Sequence, residues 1–82
     1  MSDEEKQIRL NYLNDMLWYL GTLNATLIDE IKTLIDQWET DPQEELMYSK
    51  FLQAMENMNR FNTFYLEWKE LSSSMQNDPS QP

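Results

Sequence analysis

The sequence predicts an all-α protein: an antiparallel, coiled-coil-like two-helix hairpin that dimerises into a four-helix bundle. Residues alternately three and four apart form one apolar strip from Leu10 to Trp38 and a second from Met47 to Met75. This is the heptad pattern of helices that pack side by side. Only a short segment around Asp41-Pro42 separates the strips, so the two helices should fold back on each other.

The first helix is expected to span about residues 2–39. Ser2 and Glu5 have the spacing of a capping box, and acidic residues follow Ser2 where the helix dipole favours them. Gly21 costs about 1 kcal/mol relative to alanine in a helix, and we attribute it to close approach of a neighbouring helix. The strip consists of Leu10, Leu13, Leu17, Leu20, Asn24, Leu27, Ile31, Leu34 and Trp38.

The second helix is expected to span about residues 42–72 after a turn at 40–41. Asp41 would cap it, Pro42 would occupy the first helical position, and Glu44 would complete a capping box. The hairpin would then occupy residues 1–71, and the polar, proline-containing segment 72–82 would be a disordered tail. The second strip consists of Met47, Phe51, Ala54, Met58, Phe61, Tyr65, Trp68, Ser72 and Met75.

Both helices carry more apolar residues than a hairpin can cover, and a surplus of this kind usually marks an interface. A homodimer would bury the surplus. A groove for another protein is the competing interpretation, and the two can coexist. The residues assigned to the core or to the dimer are Leu17, Leu20, Asn24, Leu27, Ile31, Phe51, Met58, Phe61 and Trp68.

Asn24 interrupts an otherwise apolar strip. A polar residue at such a position can fix register and oligomeric state at some cost in stability. The register of an antiparallel hairpin places Asn24 near Ala54 to Met58. Asn24-Ala25-Thr26 also matches a glycosylation acceptor, but its position within a helix argues against that use.

The composition bears on chemistry. The chain has no histidine and no cysteine, which removes the commonest general base and the usual nucleophile arrangements. Asp36 and Glu39, like Glu67 and Glu70, resemble the paired acids of all-α nucleotide pyrophosphohydrolases, but their heptad positions face outwards. We therefore expect no enzymatic activity, no catalytic residue, no metal and no cofactor.

The formal charge of -9 over 82 residues disfavours nucleic acid and anionic membranes as partners. No apolar run is long enough to span a bilayer, and the acidic start lacks the pattern of a secretory signal. We expect a cytoplasmic protein that forms a homodimer and binds a protein partner, and the acidic charge is compatible with a basic one.

The predicted function is that of an adaptor, a chaperone or an inhibitor. Two alternatives stay open: an acidic mimic of nucleic acid that blocks a nucleic-acid-binding protein, and a structural assembly or scaffold subunit. The residues expected to contact a protein partner are aromatic side chains off the main strip and acids near the turn: Trp18, Tyr19, Tyr12, Asp36, Glu39 and Glu44.

Overall fold

The computed structural model describes residues 2–76, and in this range the chain forms two helices, α1 (Asp3–Asp36) and α2 (Glu44–Gln76). The helices pack against each other along their length. Contacts pair Arg9 with Glu67 and Asn24 with Ala54, so the helices run antiparallel. The prediction of an all-helical hairpin is confirmed.

The start of α1 follows from its cap. The Ser2 hydroxyl accepts a hydrogen bond from the Glu5 backbone N–H at 3.2 Å, and the Ser2 carbonyl accepts one from Lys6 at 2.9 Å. Asp3, Glu4 and Glu5 occupy the first turn, where negative charge offsets the helix dipole. The helix therefore begins where the capping pattern predicts.

The connection between the helices is longer than the predicted two-residue turn. The backbone N–H of Asp41 bonds to the Gln37 carbonyl at 2.8 Å, and α2 begins at Glu44. The Asp41 carboxylate accepts from the Gln43 side-chain amide at 2.9 Å. The first turn of α2 instead closes from Met47 N–H to the Gln43 carbonyl at 2.9 Å, so the helix starts two residues later than predicted.

The far end of α2 also differs from the prediction. Residues 72–76, expected to be disordered, continue the helix to Gln76. Leu71, Ser72 and Met75 are half-buried, and the Lys6 ammonium donates to the Ser74 hydroxyl at 2.8 Å. These contacts give the last turns a tertiary anchor that the local sequence does not reveal. The remainder of the predicted tail, 77–82, lies outside the described residues.

The apolar strip of α1 forms the core of the hairpin. Leu13 is fully buried, Leu17 is half-buried, and Trp38 lies in the connection after the helix end, with 36% of its surface exposed. The remaining strip residues are all buried: Leu10, Leu20, Asn24, Leu27, Ile31 and Leu34. For α1 the heptad phase read from the sequence matches the observed burial.

The strip predicted for α2 is wrong at alternate positions. Phe51, Met58 and Tyr65 are 47%, 54% and 41% exposed, although the pattern placed them towards α1. The half-buried row of α2 that faces α1 is Met47, Lys50, Ala54, Asn57, Phe61, Phe64, Trp68, Leu71 and Met75. In each heptad, one predicted inward position gives way to the residue before it, as Phe51 does to Lys50. The observed row therefore corresponds to a rotation of α2 about its own axis by about 50° relative to the prediction.

Two features of the sequence explain this rotation. Phe64 and Leu71 are better inward residues than Tyr65 and Ser72, so the second half of α2 favours the observed row. Nearer the turn, the same rotation brings Lys50 to the side of Glu30, where the two form an ion pair. The consequence is that Phe51 and Met58 are carried outwards.

Gly21 does not serve the close helix approach that we predicted. A methyl group built on its α-carbon would lie 3.8 Å from Cε2 of Phe61, an ordinary van der Waals distance. Its φ is not positive. Within the hairpin, neither space nor backbone conformation requires a glycine at this position.

Candidate functional site

One side of the hairpin carries a broad apolar surface contributed by both helices. On α1 it includes the row Gly21, Ile28 and Ile35, and on α2 the row Phe51, Met58 and Tyr65. In an antiparallel pair, the rows that flank the packed strips on one side lie next to each other. We call this surface the apolar face; its large exposed side chains are Trp18, Ile28, Ile35, Tyr48, Phe51, Met55, Met58 and Tyr65.

The apolar face has almost no charge. At heptad spacing the face consists of four rows: Gln7, Asn14, Gly21, Ile28 and Ile35; Asn11, Trp18, Ala25 and Lys32; Phe51, Met58, Tyr65 and Ser72; and Tyr48, Met55, Asn62 and Lys69. The only charged residues in these rows are Lys32 and Lys69. No carboxylate lies in these rows, in a chain that has 15 acidic residues. The acidic charge is therefore confined to the other surfaces of the hairpin.

The opposite side is closed by ion pairs and aromatic contacts. Arg9 donates to both carboxylate oxygens of Glu67, at 2.5 and 2.8 Å, and Lys50 pairs with Glu30. The Arg9 guanidinium lies 4.9 Å from the ring centre of Tyr12. The two ion pairs cross from one helix to the other, whereas Arg9 and Tyr12 both lie on α1. We call this side of the hairpin the ion-paired side.

The ion pair between Arg9 and Glu67 lies towards the open end of the hairpin, the end opposite the connection, and it shifts the pKa values of both groups. The hydrogen bond from Arg9 lowers the pKa of the Glu67 carboxyl below its ordinary value, although partial desolvation acts in the opposite direction. The same hydrogen bond raises the pKa of Arg9. Both groups stay charged near neutral pH, and the pair holds the two helices together at this level.

A shallow cleft lies on the ion-paired side. Tyr12 packs edge-on against Phe64, with ring centres 6.2 Å apart, and these rings form one wall of the cleft. Arg60 lines it and makes no ion pair with any described residue. The cleft is lined by Tyr12, Met16, Asn59, Arg60, Thr63 and Phe64.

The structure separates the two aromatic residues that were predicted to contact a partner together. Trp18 is 78% exposed and Tyr19 is 55% exposed. Consecutive residues of a helix point about 100° apart, so Trp18 belongs to the apolar face and Tyr19 lies on the same side as Tyr12. Of the three aromatic residues predicted to contact a partner, only Tyr12 and Tyr19 lie on the same side of α1.

The acidic residues predicted to contact a partner lie at the closed end of the hairpin. Asp36 ends α1, Glu39 lies in the connection and Glu44 begins α2, and all three are exposed. Within residues 2–76, no group of three or more acidic side chains has an arrangement that could hold a metal ion. The closed end is therefore negatively charged, but its described residues do not form a cation-binding site.

The residues assigned to the core or dimer fall into three classes. Leu20, Asn24, Leu27 and Ile31 are buried on α1. Leu17, Phe61 and Trp68 are half-buried between the helices. Phe51 and Met58 are exposed on the apolar face, so their assignment to the hairpin core is corrected, and their place in a dimer remains a prediction.

Asn24 lies where the sequence placed it. Its side-chain amide donates to the Ala54 carbonyl at 3.4 Å, a long hydrogen bond. Its side-chain oxygen is buried without a partner among the described residues. Asn24 therefore reports the register of the two helices and is poorly satisfied in a single hairpin.

Charged residues of the ion-paired side were not found from the sequence: Glu30, Lys50 and Arg60 had no predicted role. A usable signal was present: in an antiparallel register that pairs Asn24 with Ala54, Glu30 falls beside Lys50 and Arg9 beside Glu67. Testing each heptad phase against these charge matches would have favoured the observed rotation.

Comparison with known proteins gives no match: no protein family, no curated protein and no solved structure is significantly similar to this chain. Among the described residues, neither helix is both long and apolar enough to cross a membrane.

Proposed function

We propose that this protein is a non-enzymatic helical module that forms a homodimer and binds a protein partner as an adaptor, chaperone or inhibitor. The observation that carries the proposal is the apolar face, with eight large hydrophobic side chains exposed on one side of the hairpin. Contiguous apolar surfaces of this kind are typical of protein interfaces. The absence of histidine and cysteine from the sequence supports a binding role over catalysis.

Two surfaces are open to a protein partner. The apolar face offers Trp18, the most exposed of the large hydrophobic residues. The ion-paired side offers Tyr12 and Tyr19, and exposed acids at the closed end could dock a basic surface. Aromatic side chains are frequent anchors at interfaces because they bury a large area with little loss of conformational entropy.

The test is affinity capture from the native host with tagged wild-type protein and two single variants, Trp18→Ala and Tyr19→Ala. Thr26→Ala, an exposed substitution one heptad beyond Tyr19, is the matched control. We expect one protein to be captured by the wild type and the control and lost with at least one variant. The captured protein, purified, should then bind the purified hairpin in calorimetry with the same dependence on these residues.

The proposal fails if the purified candidate does not bind the wild-type hairpin, or if neither aromatic substitution changes its affinity. Salt distinguishes the alternative, an acidic mimic of nucleic acid. Within residues 2–76 only Glu30 and Glu67 form ion pairs, which leaves most of the acidic charge available to a basic target and supports that alternative. A mimic's complex should weaken steeply with ionic strength, whereas apolar docking should change little.

A further inference from the structure

We propose that the apolar face binds a second copy of this chain. The second copy is packed in the opposite direction, so that the acidic closed ends of the two copies lie far apart. This inference rests on the homodimer in the proposed function and specifies its interface and orientation. It assigns Trp18 to the contact between copies, and it leaves Tyr12 and Tyr19 for a different protein.

Burial within the hairpin is one-sided, which shows where packing is incomplete. Among the residues whose burial the structure describes, all of the buried hydrophobic side chains lie on α1, and the facing row of α2 is only half-buried. On the ion-paired side, Met16 and Glu30 are half-buried and Leu23 is 37% exposed, whereas Ile28 and Phe51 on the apolar face are 48% and 47% exposed. The missing cover therefore belongs over the apolar face.

The exposed area is large enough for a stable dimer. The accessible surface of the chain is 6500 Å², whereas a folded monomer of this mass is expected to expose about 5200 Å². The difference exceeds the roughly 800 Å² per partner that a standard interface removes from water. An elongated two-helix hairpin exposes more area than a globular monomer of the same mass, and pairing the apolar faces of two copies would cover part of this excess.

Charge selects a second copy over a basic partner at this face. Two copies that each carry a charge of -9 repel each other unless the contact surface excludes the acids. The rows of the apolar face contain no carboxylate between Gln7 and Ile35 or between Tyr48 and Ser72. A basic protein would find no carboxylate there, whereas a second copy would meet a mainly apolar surface whose only charged residues are Lys32 and Lys69.

Charge also selects the orientation. Asp36, Glu39, Asp41, Glu44 and Glu45 all lie at the closed end of the hairpin. A parallel pair would bring two such clusters together, and like charges in proximity are unfavourable. In the antiparallel pair the closed end of one copy lies beside the open end of the other, where Lys6 and Arg9 accompany Asp3, Glu4 and Glu5, so the two most acidic ends stay apart. The contact is then isologous, as expected for a two-fold dimer.

The interface is tested with glutamate substitutions at two adjacent positions of α2, one inside the proposed contact and one outside it. Phe51 lies on the apolar face and Leu52 on the outer edge of α2, and each is 47% exposed. Phe51→Glu would place a carboxylate in the contact twice, once from each copy, and should raise the dimer dissociation constant at least about tenfold because burying an unpaired charge is costly. Leu52→Glu should leave it within about twofold.

Light scattering after gel filtration gives the mass of each variant, and circular dichroism checks that each remains helical. A monomeric wild type would overturn the inference. A wild-type dimer that Phe51→Glu leaves intact would overturn this face while leaving the homodimer in place. If Phe51→Glu is monomeric and helical yet still binds the partner through Tyr19, the interface and the proposed function are supported independently.

The orientation is tested with a single spin label. The chain has no cysteine, so Thr40→Cys in the connection gives one labelling site per copy. With the closed ends at opposite ends of the dimer, the label-to-label distance should be on the order of 50 Å, about the length of α1. A distance under about 20 Å would show that the copies are parallel and would overturn the proposed orientation.

Discussion

At the scale of single residues, Asn24 shows how far a sequence pattern can be trusted. Its place in the strip of α1 predicted its burial, because heptad spacing determines which side of a helix faces its neighbour. Its distance from the turn predicted that it lies close to Ala54. Whether its polar atoms are satisfied depends on the position of α2 to within a few tenths of an ångström. In the hairpin its side-chain oxygen is left without a described partner.

Replacing Asn24 with leucine should raise thermal stability. The substitution removes a buried polar group whose one hydrogen bond is long, and unsatisfied buried groups cost about 1–3 kcal/mol. We expect a gain of about 1 kcal/mol, or about 4–8 °C in Tm for a domain of this size. Thermal denaturation followed by circular dichroism measures it, with the exposed substitution Asn59→Leu as control. A lower Tm for Asn24→Leu with oligomeric state unchanged would contradict this assignment.

Replacing Gly21 with alanine should also stabilise the hairpin. A methyl group at this position fits 3.8 Å from Phe61, and alanine is favoured over glycine in a helix by about 1 kcal/mol. Urea unfolding in the Phe51→Glu background separates this effect from dimer formation. Ala25→Gly, one turn further along α1, should lose a similar amount. A loss of stability in Gly21→Ala would show that the helices approach more closely than the structure indicates.

At the scale of the elements, α1 was predictable from its own apolar pattern, whereas the rotation of α2 could be predicted only by matching charges between the two helices. One row of α1 is clearly the most apolar, so its phase had a single solution. On α2, Phe51 and Met58 favour one phase while Phe64 and Leu71 favour its neighbour, and local pattern cannot rank them. The decision lies in contacts between helices, including Lys50 with Glu30.

The pair of Arg9 and Glu67 should give the hairpin a specific dependence on pH. Because the folded-state pKa of Glu67 is lowered, its contribution to stability is fully present above the ordinary glutamate pKa of 4.5. The contribution is lost as pH falls through the lowered value. The exposed pair is screened by solvent, so we expect a small effect whose pH profile is the signature.

Urea unfolding of wild type and Glu67→Gln between pH 3 and pH 7 measures this dependence. The two free energies of unfolding should differ at neutral pH and converge at the acid end of the range. Glu70→Gln, an exposed neighbour on the same helix, is the control and should not show this convergence. If the difference between wild type and Glu67→Gln were the same at every pH, the pair would not be the cause.

At the scale of the whole molecule, the sequence predicted that a hairpin could not cover its own apolar residues, but not which face would stay open. The surplus follows from composition and spacing, whereas the open face depends on which side the ion pairs close. The sequence also predicted Trp18 as exposed and grouped it with Tyr19 as a partner contact, and that grouping remains a prediction. The assignment of Trp18 to the contact between copies follows only from the direction in which α2 is rotated.

The central claim is that the apolar face is covered by a second copy of the chain. Sedimentation velocity of the wild-type protein across micromolar concentrations tests it most directly. We predict one species with twice the mass of the chain, dissociating only on dilution. A species with the mass of a single chain throughout that range, still helical by circular dichroism, would contradict the claim.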